Sequence, residues 1–146
     1  MRNREQGNYR PTFFCFNDPQ ITGLIWVVPM SANYEKYKLI KEKDELRHGR
    51  SLKIVLGNLD GKNCAFLIQN MFPITSEFIS HIHTKQGNPV PVTPLLASTV
   101  KQTTKTVIEM TRSGIRIVYP DILRLERMMI NQIEHQNYHH LGFEIE

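Results

Sequence analysis

A serine hydroxyl and two lysine ammonium groups fall close together where the chain changes character. The apolar run Leu24-Ile25-Trp26-Val27-Val28 gives way to Pro29-Met30-Ser31, and Tyr34-Glu35-Lys36-Tyr37-Lys38 follows at once. An alcohol at the end of a rigid strand, with amines on the next two helical turns, suits a phosphate: lysine supplies both positive charge and transferable protons. The same residues have a plain structural reading, in which Ser31 caps a helix and the lysines form its solvated face.

Other residues fit an anionic, base-bearing ligand. Tyr34 offers a ring on which a base can stack, and Lys41, Arg47, Arg50 and Lys53 continue the positive charge along the chain. From Tyr34 to Lys53 seven basic residues stand against four acidic ones, so this segment carries +3 of the chain's net +4. Farther on, Gln69-Asn70 places two amides at a strand end. There Asn70 either hydrogen-bonds a base edge or phosphate oxygen, or stabilises a turn. His48, His81 and His83 form a rival acid–base set, with surface positions as their simpler explanation.

Positioning these groups requires a sheet and a surface helix. Thr12-Phe13-Phe14-Cys15-Phe16 and Leu24 to Val28 read as two strands joined through Asn17-Asp18-Pro19, an antiparallel hairpin. A helix over Asn33–Arg47 ends before Gly49, and its lack of a clean apolar stripe places it at the surface. Leu52–Leu56 and Asn63–Ile68 flank Asp60-Gly61, a tight-turn pair. Thr75-Ser76-Glu77 reads as the cap of a short helix through Ser80, and Pro89-Val90-Pro91-Val92 as an edge strand or loop. Leu96, Val100, Val107 and Met110 recur at helical spacing between Pro94 and Arg112, with Gly114 as the stop. Pro120-Asp121 opens a last helix, with Ile122, Leu125, Met129 and Ile133 on one face. The sum is an α+β domain: a small twisted, mostly antiparallel sheet or half-barrel, with an inserted surface helix and two C-terminal helices.

At 146 residues, with 40% hydrophobic and 22% charged residues, the chain is expected to form a single globular domain, residues 1–9 and 135–146 being tails. No apolar run approaches the roughly 20 residues that span a bilayer, and Met1 to Asn8 lacks the apolar core of a secretory signal. The expected location is therefore the cytoplasm. Cys15 and Cys64 stand apart within strand-like runs, as buried thiols do. His135, His139 and His140 lack a carboxylate or cysteine that would complete a site, so no metal is expected there.

Several stretches together carry a resemblance. Gly23-Leu24-Ile25-Trp26-Val27-Val28-Pro29-Met30-Ser31, Tyr34-Glu35-Lys36-Tyr37-Lys38, Ile54-Val55-Leu56-Gly57 and Ala65-Phe66-Leu67-Ile68-Gln69-Asn70-Met71-Phe72-Pro73-Ile74 resemble the CptN branch of the ToxN/AbiQ-like toxins of bacterial type III toxin–antitoxin systems. The likeness runs from Arg10 to Met128 and takes in Ser113-Gly114-Ile115 and Pro120-Asp121-Ile122-Leu123. It implies a sheet-and-helix endoribonuclease related to the MazF/Kid fold, without metal or organic cofactor, acting as a toxin in phage defence. The implied partners are a small structured RNA antitoxin, cut by the toxin from a repeat-containing precursor and assembled with it into a closed protein–RNA complex, and cellular or phage RNA as substrate.

The resemblance further implies Ser31 as a catalytic residue. Where the ToxN branch has a lysine two residues after that serine, this chain has Asn33, so the lysine role falls to Lys36 or Lys38. Arg10, at the start of the likeness, joins Tyr34, Lys41, Arg47, Arg50, Lys53 and Asn70 as an expected RNA contact. The expected reaction is transesterification to 2′,3′-cyclic phosphate and 5′-hydroxyl ends, with a desolvated lysine as base. The alternative is a non-catalytic RNA-binding module using the same basic surface.

Overall fold

The computed structural model describes residues 12–77 and 92–140. Its elements in chain order are β1 (Thr12–Asn17), β2 (Leu24–Ser31), α1 (Tyr34–His48), β3 (Ile54–Leu59), β4 (Lys62–Leu67), one 3-10 turn (Ile68–Asn70), β5 (Phe72–Thr75), α2 (Pro94–Arg112) and α3 (Ile122–His140). The α+β expectation holds: a five-stranded antiparallel sheet carries three helices among the described residues. Among the described residues the sheet is open, in the order β1-β2-β4-β3 with β5 also paired to β2, and does not close into a barrel.

The centre of the sheet is β2. Leu24, Trp26, Val28 and Met30 face the main core, while Ile25 and Val27 join Ile74 on the opposite side. Burial on both faces explains why this strand reads as a continuous apolar run and not as an alternation. Pro29 does not end the strand, which runs on to Ser31. One edge of β2 pairs with β1 from Asn17↔Ile25 to Thr12↔Met30. The other edge is shared: β5 takes Leu24 to Val27, and β4 takes Met30 and Ser31. Between those pairings β2 spends only Val28 and Pro29, whereas the facing chain spends Leu67 to Met71. The surplus leaves the sheet as the Ile68–Asn70 turn, beside a proline that has no N–H to offer a ladder.

The main core is closed by α2 and α3. Val100, Val107 and Ile108 of α2 and Ile122 of α3 are buried there, with Leu96, Met129 and Ile133 packed at its margin. Thr104 is fully buried on α2 and returns its hydroxyl to the Val100 carbonyl at 2.8 Å, so its polar atom costs little. Arg112 at the end of α2 and Glu126 on α3 meet at 2.6 Å and tie the two helices together. The last helix runs on to His140, into the stretch read from the sequence as tail.

Turn chemistry behaves as its residues dictate. Asp60 and Gly61 both take positive φ, 53° and 81°, between β3 and β4. Gly49 ends α1 in the left-handed conformation, its N–H donating to the Glu45 carbonyl at 2.8 Å. Two expectations shift. The β3 strand begins at Ile54, not Leu52, because Lys41 and Gln69 hold the Ser51–Lys53 segment outside the ladder. Phe72–Thr75 is a strand and the expected helix begins at Ser76 directly after it, but the buried Thr75 hydroxyl makes no hydrogen bond and so does not cap that helix. The expected continuation of that helix to Ser80, and most of Pro89–Val92, lie outside the described residues.

Candidate functional site

Ser31 is the last residue of β2, half-buried, in register with Ala65 of β4. Its hydroxyl oxygen accepts the Asn33 N–H at 3.1 Å, a short turn that redirects the chain from strand to helix. Neither Ser31 nor Asn33 caps α1 by a side-chain bond, so the capping explanation of Ser31 does not apply in that form. Tyr34 opens the helix and is half-buried.

No residue of α1 is fully buried. The helix rests on the second face of the sheet through Tyr37 and Ile40, which pack against Ile54, Ala65 and Leu67. Ala65 is the partner of Ser31, so the sheet position beside Ser31 lies under the basic helix. Lys36 and Lys38 are both exposed, and Lys36 Nζ stands 5.2 Å from the centre of the Tyr37 ring. Two positions apart on a helix, they project from it about 200° apart, so they flank α1 on opposite sides. Exposure also removes the desolvation on which the sequence argument for a lysine base relied.

Lys41, an expected RNA contact, is held within the fold. Its half-buried Nζ donates to the Ile54 carbonyl at 2.9 Å and to the Ser51 carbonyl at 3.4 Å, clamping α1 onto the start of β3. Helix periodicity alone does not say which of several lysines turns inward. Lys53 is half-exposed and lies 3.8 Å from the Asp44 carboxylate, which His48 approaches at the same distance. Arg47 and Arg50 are exposed and free of ion pairs among the described residues, as a backbone-tracking surface requires. Arg10, His81 and His83 lie outside the described residues.

Asn70 ends the 3-10 turn and is half-buried; its neighbour Gln69 is buried and more firmly held. The Gln69 N–H donates to the Lys53 carbonyl at 2.9 Å, and its carbonyl accepts the Tyr119 N–H at 2.8 Å. Tyr119 itself is 65% exposed, in the segment between α2 and α3. The sequence reading overlooked this pairing, because nothing local links positions fifty residues apart in sequence.

Thiol chemistry does not fit the site. Both cysteines are free, and burial pushes the Cys15 thiol up to about 11 and raises Cys64 as well, keeping them protonated near neutrality. The surface offers hydroxyl, ammonium, guanidinium and amide groups, which can bind phosphates and bases, interspersed with the exposed carboxylates of Glu35, Glu42 and Glu45 on α1. No family model matches the chain, and no curated protein matches it.

Proposed function

We propose that this protein is a metal-independent endoribonuclease toxin of the ToxN/AbiQ-like kind, with a MazF/Kid-related sheet, restrained by a repeat-derived RNA antitoxin that it processes. The observation that carries this reading is the continuity of Ser31 with the basic helix: one tight turn joins the strand-end hydroxyl to α1, and α1 packs over the sheet position paired with Ser31. That arrangement supports a phosphodiester between the Ser31 hydroxyl and an ammonium group on one flank of α1.

In the reaction the ribose 2′-oxygen attacks phosphorus while its proton leaves to solvent, and the bond to the 5′-oxygen breaks. Ser31 orients the 2′-hydroxyl or a non-bridging oxygen. Lys36 or Lys38 offsets the charge that gathers on the phosphorane and gives a proton to the departing 5′-oxygen, yielding a 2′,3′-cyclic phosphate and a 5′-hydroxyl. Arg47 and Arg50 extend the positive surface along the backbone of substrate or antitoxin.

The test is cleavage of a mixed single-stranded RNA in EDTA, with end-group analysis. Ser31→Ala and the double variant Lys36→Ala/Lys38→Ala are expected to melt like the parent and cut at least about 100-fold slower, the usual cost of losing one preorganised contact. Undiminished cleavage by both variants refutes the assignment. Salt-dependent binding by the parent with no product ends identifies a binding module instead.

A further inference from the structure

We propose that Gln69, Tyr119 and Arg116 form a subsite that reads one unpaired nucleobase of the RNA; this rests on the ribonuclease reading above. Gln69 sits in the turn that leaves the sheet opposite Val28 and Pro29, three residues beyond the Phe66 that pairs with Met30. Only 7% of it is exposed; its side-chain amide makes no hydrogen bond to another described residue and is not among the fully buried polar atoms left without a partner, so the amide atoms reach the surface. An amide that reaches the surface without a protein partner keeps its donor and acceptor for a ligand. A phosphate accepts only, whereas an amide presents a donor and an acceptor in one plane, the pattern that complements a base edge.

Tyr119 supplies the second half of the subsite. The hydrogen bond from its N–H to the Gln69 carbonyl brings the two backbones side by side, and the residue is 65% exposed in spite of its size. The Arg116 guanidinium holds the same backbone from behind, donating through Nη2 to the Tyr119 carbonyl at 2.7 Å and through Nε to the Val118 carbonyl at 3.3 Å. Its remaining N–H donors stay available to a phosphate. A ring on a backbone fixed at both its N–H and its carbonyl pays little to be ordered, which is what a stacking platform needs. Stacking on an aromatic side chain with an amide on the base edge is how unpaired RNA bases are generally recognised.

The experiment is cleavage of a randomised single-stranded RNA pool by the full chain, with sequencing of the cut sites. Gln69→Leu and Tyr119→Ala are expected to keep cutting, while preference at one position relative to the cut falls about 10-fold or more. Gln69→Glu, which only accepts, is expected to move that preference toward guanine, the base with two adjacent donors on its pairing edge. A parent that cuts, with Gln69→Leu and Tyr119→Ala variants whose cut-site profiles match it, overturns the subsite and leaves the ribonuclease reading standing. A parent that neither binds nor cuts RNA overturns both. Should the Gln69 variants melt early, Tyr119→Ala decides alone, because its ring lies outside the core.

Discussion

Replacing Lys41 by methionine separates a clamp from a ligand contact. The substitution keeps most of the apolar stem and removes the ammonium that donates to the Ile54 carbonyl at 2.9 Å and the Ser51 carbonyl at 3.4 Å. A hydrogen bond from a charged donor contributes about 1.5–3 kcal/mol; partial exposure and the length of the second bond reduce the pair to about 1–2 kcal/mol. No residue of α1 is fully buried, so few other contacts hold the helix to the sheet. Losing 1–2 kcal/mol corresponds to a factor of about 5–30 in a local opening equilibrium. In native-state hydrogen exchange the α1 amides of Lys41→Met are therefore expected to exchange about 5–30-fold faster, with the β2 amides unchanged. In RNA binding across a salt series, the slope of log affinity against log salt should match the parent's. Arg47→Ala, by contrast, should reduce it by about 0.7, the value for one contact to single-stranded RNA. Unchanged α1 exchange combined with a reduced slope would refute the clamp and return Lys41 to the nucleic-acid surface.

Two other positions give independent tests. The Asp18 carboxylate accepts the Trp26 indole N–H and the N–H groups of Gln20 and Ile21, each at 2.9 Å. Burial pushes its pKa up, but these bonds and the Arg112 charge outweigh burial, so it lies below the ordinary carboxylate value. A lowered folded-state pKa means that the carboxylate's contribution is complete above about pH 4 and is lost as pH falls through the folded value. Asp18→Ala leaves the indole N–H of a fully buried tryptophan unpaired, and is expected to cost about 2–4 kcal/mol at pH 7. Denaturation followed by Trp26 fluorescence should show that loss, and show it shrinking in acid; a loss that does not vary with pH argues against the linkage. Thr75 is fully buried with its Oγ1 unpartnered, so Thr75→Val is expected to be neutral or stabilising by up to about 1 kcal/mol in urea. A clear destabilisation would mean that the hydroxyl has a partner after all.

Much of the scaffold was legible because its signals are local. Asp60-Gly61 announces a turn with positive φ, Gly49 a helix end, Pro94 a helix start, and Leu24 to Val28 a buried strand. The strand β5 was not legible: Phe72-Pro73-Ile74-Thr75 is short and carries a proline, and only its pairing with Leu24 to Val27 makes it a strand. Within the site, the strand–turn–helix join at Ser31 could be read, since adjacent residues build it. The inward turn of Lys41 and the meeting of Gln69 with Tyr119 could not, because both depend on tertiary packing that periodicity does not encode.

The double use of one β2 edge has a consequence for how the molecule comes apart. Among the described residues every hydrogen-bonded route between β1, β5 and the β3–β4 hairpin runs through this single strand, and its link to the hairpin is the thinnest, resting on Met30↔Phe66 and Ser31↔Ala65. Peeling β2 away separates β1, β5 and the β3–β4 hairpin from one another at once, leaving only the hairpin with a ladder of its own.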